Sequence, residues 1–83
     1  MSQISIVIPH EGRPKQHVFV VPPHISRLSE AIDWLAGELH TDAEEILANH
    51  VVIMDNAMIR WTEEDPALRE ETFIKLAPLM TGG

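Results

Sequence analysis

Hydrophobic residues alternate with polar ones at the start of the chain. Ile4, Ile6 and Ile8 lie on one side of an extended segment because side chains in a strand alternate between its two faces. A polar stretch that contains a glycine and a proline follows over residues 10–16. β-Branched and aromatic residues then return over residues 17–21. The pattern predicts two strands joined as a hairpin.

The spacing of the apolar residues changes after Pro22 and Pro23, which are expected to end the second strand because proline cannot donate to the ladder. Ser26 offers a side-chain oxygen that can cap the start of a helix. The next apolar residues recur with the period of a helix, which predicts one amphipathic helix lying across one face of a sheet. The residues of this stripe are Leu28, Ala31, Ile32, Leu35 and Leu39.

A second, shorter helical segment is predicted where Thr41 and Glu44 stand three residues apart, as in a capping box. It is not expected to extend past Asn49. An apolar run over residues 51–54, turn-forming residues and a second extended run over residues 58–61 then indicate another hairpin.

The last third of the chain begins with an acidic segment, residues 62–71, predicted to be a solvated loop anchored by Leu68. A final strand is predicted over residues 72–76. The predicted core combines the first strand, the main helix and the last strand. Its members are Ile4, Ile6, Ile8, Leu28, Ile32, Leu35, Ile74 and Leu76.

The residues after the last strand show no period and include Pro78, Gly82 and Gly83. Proline is expected to stop the sheet, and glycines resist ordering. The sequence therefore predicts one domain, residues 1–77, followed by a flexible tail, residues 78–83. The predicted fold class is α+β, with a mixed four- or five-stranded sheet and one main helix across one face.

Composition narrows the classes of function. A chain of 83 residues has room for one core and not for a deep, walled substrate cavity, so an independent enzyme is not expected. A net charge of −7 disfavours nucleic acid and anionic membranes as partners. Cysteine is absent, and the first residues do not have the pattern of a signal peptide. We expect a cytoplasmic protein whose partners present basic surfaces.

The remaining polar and aromatic residues have ordinary interpretations. The histidines lack the close spacing of metal ligands and are predicted to be surface residues, and acidic pairs such as Glu44-Glu45 are predicted to be solvated. Trp34 and Trp61 are predicted at the periphery of the core. The five histidines are His10, His17, His24, His40 and His50.

The order of elements, with a helix between two hairpins and a last strand leading to Gly82-Gly83, resembles the β-grasp superfamily of ubiquitin and the small bacterial sulfur carriers. Residues 71–83 are similar to the closing segment of the molybdopterin-synthase small subunit, including Pro78 and the terminal glycines. Leu79 stands where that family usually has a second proline. No glycine supports the turn between the third and fourth strands, and Phe73 replaces a residue that is commonly polar.

The resemblance implies that the Gly83 carboxylate is adenylated by a partner activating enzyme and converted to a thiocarboxylate, which supplies a sulfur-accepting enzyme. ATP and magnesium would bind to the partner, and this chain would bind no cofactor or metal. The alternative is a ubiquitin-like modifier, joined through Gly83 to target lysines by a conjugating enzyme and released by an isopeptidase. A β-grasp interaction subunit whose tail is never activated is the third possibility.

The resemblance suggests two sets of residues that would contact the activating enzyme, one in the tail and one on the sheet. Glycines have no Cβ to obstruct a narrow channel, so Gly82 and Gly83 would enter the partner's site. The contacts of the tail would be Pro78, Leu79, Met80 and Thr81. Phe73 has the parity opposite to its core neighbours and is expected on the open face of the sheet. The docking face predicted from it consists of Phe73, Lys75 and Arg60, with Val7 nearby.

Overall fold

The computed structural model of the chain describes residues 1–79, which form a five-stranded mixed sheet and two helices. The strands have the order β2-β1-β5-β3-β4. This α+β arrangement agrees with the predicted class and is compatible with a β-grasp fold. In chain order the elements are β1 Gln3–His10, β2 Arg13–Val20, α1 Leu28–Glu38, α2 Ala43–Asn49, β3 His50–Met54, β4 Ala57–Ile59 and β5 Phe73–Pro78.

The first hairpin has a two-residue turn, Glu11 and Gly12, whose φ angles are 51° and 78°. Positive φ at both positions gives the turn a twist that matches the two strands, and glycine adopts that angle without steric cost. The register pairs His10 with Arg13, so β2 begins directly after the turn. The polar loop predicted over residues 10–16 is therefore wrong in extent, because most of it is strand.

Pro14 is accommodated inside β2 because of the direction in which its backbone points. The Val21 N–H donates to the Ser2 carbonyl at 2.9 Å, which fixes the alternation of bonded and non-bonded pairs along the hairpin. Pro14 is paired with Pro9 at a non-bonded position. Its missing N–H would have pointed away from β1 at the sheet edge, so no ladder bond is lost.

The N-cap of helix α1 is Arg27, one residue later than the predicted cap at Ser26. The Glu30 carboxylate accepts bonds from the backbone N–H of Arg27 at 3.1 Å and from the Ser26 hydroxyl at 3.0 Å. These bonds, with that from Ser26 first, lower the pKa of Glu30. Ser26 contributes to the start of the helix, but as a donor to Glu30.

The acidic segment is bound to the start of α1 and is more than a loop anchored by Leu68. Asp65 accepts bonds from the Ser29 N–H at 2.9 Å and the Ser29 hydroxyl at 2.7 Å. The Leu28 N–H donates to the Pro66 carbonyl, and the Leu68 N–H donates to the Ser26 carbonyl. The free N–H groups of the first helical turn therefore find partners in a segment about 36 residues away along the chain.

The second half has the predicted elements with shifted bounds, and β4 is Ala57–Ile59 where residues 58–61 were predicted. Helix α2 ends at Asn49 as predicted, although its N-cap is Asp42 and Thr41 instead contacts Glu45 through its hydroxyl at 3.4 Å. The hairpin of β3 and β4 turns at Asp55 and Asn56, whose φ angles are 49° and 69°. Asparagine and aspartate tolerate this region better than other non-glycine residues, which explains why no glycine is needed.

Strand β5 lies in the centre of the sheet, parallel to β1 and antiparallel to β3. It extends through Pro78, which is paired with His50, and the Leu79 N–H donates to the Asn49 carbonyl at 2.9 Å. The predicted end of the last strand at residue 76 is therefore too early. Proline does not stop the sheet here, because one residue without a donor does not prevent its neighbours from pairing.

The core lies between α1 and the sheet, and nearly all of the predicted core residues are buried in it. Ile8 is the exception and is only partly buried, because the pairing of β1 with β5 ends at Ile6 and Leu76. Leu39 is also partly buried. Ala31, predicted in the apolar stripe of the helix, is buried. The core contains further residues that were not predicted to belong to it: Val21, Ala36, Ile46 and Val52. Neither helix in residues 1–79 is long and apolar enough to cross a membrane.

Leu35 has no exposed surface, so replacing it should leave a cavity that its neighbours cannot fully close. We predict that Leu35→Ala lowers the free energy of unfolding by about 2 to 5 kcal/mol in a urea titration. Leu79→Ala is the matched control, because Leu79 is half exposed and should change stability by less than about 1 kcal/mol. Equal effects of the two substitutions would contradict this assignment of the core.

Asp65 should stabilise the protein only while it is ionised. The bonds from Ser29, the backbone N–H first, lower the pKa of Asp65 below its usual 3.8, so its contribution is present at neutral pH and is lost as the pH falls through the lower folded value. We predict that Asp65→Ala costs about 0.5 to 1 kcal/mol at pH 7, and that the difference from wild type disappears in strong acid. Asp33→Ala is the matched control, because it removes a carboxylate from an exposed position of α1 and should cost less than about 0.5 kcal/mol at pH 7.

Candidate functional site

The candidate site is at the end of β5, where the chain leaves the sheet. Pro78 and Leu79 are both exposed, although the backbone of Leu79 is still bonded to Asn49 beside β3. Two of the predicted tail contacts are thus attached to the sheet. The other predicted tail residues, Met80, Thr81, Gly82 and Gly83, lie outside the described residues.

A shallow groove of about 400 Å³ adjoins this strand end, and we call it the strand-end groove. Its surface is mostly apolar, and three of its large hydrophobic side chains are unusually exposed: Trp61 by 42%, Leu79 by 50% and Met58 by 69%. Large exposed side chains that lie together are typical of contact surfaces. The groove is lined by Leu47, Ala48, His50, Val51, Val52, Met58, Ile59, Arg60, Trp61, Thr62 and Leu79.

Arg60 supplies the positive charge of the strand-end groove. Its backbone forms a turn in which the carbonyl accepts from the N–H groups of Glu63 and Glu64, both at 2.9 Å. The guanidinium is 4.0 Å from the Glu63 carboxylate, and both side chains are largely exposed. Ion pairs of this kind contribute little, so Arg60 can exchange Glu63 for a carboxylate or phosphate of a partner at small cost.

Phe73 lies on the open face of the sheet, opposite to α1, as its parity predicted. It is 43% exposed, whereas the adjacent Ile74 is fully buried. Asp55 fixes its backbone, because the Phe73 N–H donates to the Asp55 carboxylate at 3.0 Å and the Asp55 N–H donates to the Phe73 carbonyl at 2.9 Å. The position of the ring is therefore set by the turn between β3 and β4.

The structure separates the three residues of the predicted docking face. Lys75 is exposed and is paired with Ile53, which in turn is paired with Met58 at the strand-end groove. Phe73 is at the other end of β5 from Pro78, roughly 16 Å away along the strand. Lys75 thus lies between Phe73 and the groove that contains Arg60. Val7 is half buried on the same open face.

Some residues of this surface were missed by the sequence analysis. Trp61 was predicted at the periphery of the core but is exposed, whereas Trp34 packs against the core with its ring edge-on to Phe19 at 6.3 Å. The exposure of Met58 follows from its register with Ile53 on the open face. The alternation of side chains within β4 could have predicted this exposure, but a strand of three residues is too short for its alternation to be recognised.

No group of three or more His, Asp or Glu side chains within residues 1–79 is arranged to hold a metal ion. His10, His24 and His40 are exposed as predicted, whereas His17 and His50 are half buried. The Nδ1 atom of His50 is 2.7 Å from the Ile46 carbonyl, which connects α2 with the start of β3.

Comparison with protein-family models, with curated proteins and with solved structures finds no match for this chain.

Proposed function

We propose that this protein is a sulfur carrier of the β-grasp type, whose Gly83 carboxylate is activated by a separate adenylating enzyme. The observation that carries the proposal is the position of β5, a central strand that ends at an exposed apolar groove and is followed by Met80-Thr81-Gly82-Gly83. The carboxylate would be free in the chain as made or released from a longer precursor. We place the protein in the cytoplasm, where ATP is available.

The arrangement of the sheet supports this reading. The first and last strands are parallel neighbours at its centre, and the connection between them contains the helix that covers one face. This topology is compatible with a β-grasp fold. It holds β5 between β1 and β3 as far as Leu76 and keeps its exit at Pro78 and Leu79 bonded on the β3 side, so that a partner can hold the domain while it acts on the residues beyond it.

The proposed chemistry explains why the last residues are glycines. A carboxylate is a poor electrophile until an oxygen attacks the α-phosphate of ATP, pyrophosphate leaves and an acyl-adenylate forms. Hydrosulfide then attacks the acyl carbon, the bond to AMP breaks and the thiocarboxylate forms; a persulfide donor would instead give an acyl disulfide, from which a thiol releases the thiocarboxylate. Glycine has no Cβ, so Gly82 and Gly83 can pass a narrow channel toward the nucleotide that larger residues would block.

The length of the last segment determines where the partner must bind. Four residues follow Leu79, and even a fully extended chain of that length spans only about 14 Å. The partner's nucleotide site therefore has to lie close to the strand-end groove. We infer that Leu79, Trp61 and Met58 contact the activating enzyme, and that the charge of −7 favours a basic surface on it.

The same carboxylate would serve the alternative function, in which Gly83 forms an isopeptide bond with a lysine of a target protein. The chain itself has only two lysines, Lys15 and Lys75, and both are exposed. Chains built from several copies would therefore have few attachment points. The products of the reaction distinguish a carrier from a modifier.

We predict that deleting Gly83 abolishes activation without unfolding the protein, since the deletion lies beyond the strand bonds of Leu79. Incubated with its adenylating enzyme, ATP, magnesium and a sulfur donor, the intact protein should exchange one oxygen for one sulfur at its C-terminus, as seen by mass spectrometry. Glu38→Gln, at an exposed position of α1 outside the proposed contacts, is the control and should retain the reaction. An adduct of Gly83 with a lysine would indicate a modifier, and full pathway activity of the deletion variant would exclude both functions.

Phe73→Ser tests whether the partner also covers the open face. We predict a loss of less than about 1 kcal/mol in stability, because Phe73 is partly exposed, and a fivefold to tenfold weaker capture by the activating enzyme, equivalent to about 1 kcal/mol. Met58→Ser provides the comparison at the strand-end groove. Unfolding of the Phe73 variant with unchanged affinity per folded molecule would assign Phe73 to the core and remove it from the docking face.

A further inference from the structure

The outer edge of β2 is the longer of the two open edges of the sheet. Strand β2 has eight residues, whereas β4, at the opposite edge, has three. An edge strand presents unpaired N–H and C=O groups that can bind another strand, and short edges or charged side chains normally limit this. The short β4 is protected in that way. Strand β2 carries Arg13, Pro14 and Lys15 at its start, but residues 16–20 contain no lysine, arginine or carboxylate.

The hydrogen bonds of the first hairpin show which backbone groups of β2 are free to pair. Because Val21 and Ser2 form a bonded pair, Phe19 and His17 bond to β1 as well. The alternating residues Gln16, Val18 and Val20 therefore direct their N–H and C=O groups away from β1. All three side chains are exposed, Val18 by 53% and Val20 by 52%.

Prolines limit this free edge at both ends. Pro14 is the preceding residue whose backbone faces outward, and it has no N–H to donate. Pro22 follows β2 at the other end. The segment available for pairing is thus residues 16–20, and Val18 is at its centre.

We propose that β2 pairs antiparallel with β2 of a second copy, about a two-fold axis through Val18. In this register Val18 is opposite Val18 of the other copy and Gln16 is opposite Val20, and each of these pairs can exchange two hydrogen bonds. Shifting the register by two residues in either direction places Pro14 or Pro22 opposite a free amide, so that two of the pairs exchange one bond instead of two. The register centred on Val18 is the one in which every pair within residues 16–20 exchanges both bonds.

The charges next to this edge are complementary in the same antiparallel arrangement. Arg13 and Lys15 are near one end of β2. The other end borders a mostly apolar groove of about 880 Å³ whose lining includes Val20 and three charged residues, Arg69, Glu70 and Glu71. Pairing brings the basic end of each copy toward the two glutamates of the other, twice by symmetry. The net charge of −7 on each copy acts over longer distances and is screened beyond about 8 Å in physiological salt.

The proposed pair would be one continuous ten-stranded sheet with both α1 helices on the same side, because paired residues of antiparallel strands share a face. It leaves Phe73, Lys75 and the strand-end groove uncovered. The inference is therefore independent of the proposed function. The activation assay and the association measurements can therefore fail separately: the protein could be activated as a monomer, or it could form the pair without being activated.

Two single-cysteine variants test the register, since the chain has no cysteine of its own. Paired Val18 residues would have Cα atoms about 5.5 Å apart, within the range that a disulfide spans. In a glutathione redox buffer we expect Val18→Cys to form a disulfide-linked dimer at least tenfold more readily than Val20→Cys, whose symmetry mates lie four residues out of register. Equal cross-linking of the two variants, or none, would overturn the proposed pairing.

Sedimentation of the reduced protein over a range of concentrations tests the association itself. Wild type should dimerise as concentration rises, and Val18→Lys should weaken this at least tenfold by placing two like charges together on the axis. Met58→Lys is the matched control, because it adds the same charge at an exposed, open-face position of the other edge strand. A wild type that stays monomeric at millimolar concentration, or equal effects of the two lysines, would refute the proposal.

Discussion

The parallel pairing of β1 with β5 is the contact on which the rest of the molecule depends. It joins the two ends of the chain, Gln3 with Phe73 and Ile6 with Leu76, and so closes nearly the whole sequence into one loop. Closing a long loop costs more entropy than closing a hairpin, and local contacts do not repay it. The compensation comes from burial of Ile4, Ile74 and Leu76 under α1, each almost completely removed from solvent.

A small polar network holds the beginning of this pairing. The Ser2 hydroxyl donates to the Arg69 carbonyl at 3.1 Å and accepts from the Thr72 N–H at 3.4 Å, and the Thr72 hydroxyl accepts from the Arg69 N–H at 2.7 Å. Ser2 and Thr72 are buried, so an unpaired hydroxyl there would be costly. With Asp65 at the start of α1, these bonds order a segment that has almost no secondary structure of its own.

The sequence predicted the elements that depend on local spacing and missed those that depend on distant partners. Alternation identified β1, and the helical period identified α1 with Leu28, Ile32 and Leu35 on its buried side. Nothing close to Asp65 in the chain indicates that it accepts the Ser29 N–H at the start of α1. This contact attaches residues 62–71, which were predicted to be a solvated loop, to the helix. The strand character of Pro14 and Pro78 depended on where each proline sits within the ladder, which the residue type alone does not reveal.

The candidate site was predictable in the same uneven way. The exposure of Phe73 followed from its parity with Ile74, but its separation from Arg60 required the order of the strands. That order places Lys75, the one lysine or arginine of β1, β3 and β5, between Phe73 and the strand-end groove. The chain has more than twice as many acidic residues as lysines and arginines. Even so, Lys75 is outside the core and forms no ion pair within residues 1–79. A partner that covers the open face would have to offer Lys75 an acceptor, because burying it unpaired would cost several kcal/mol.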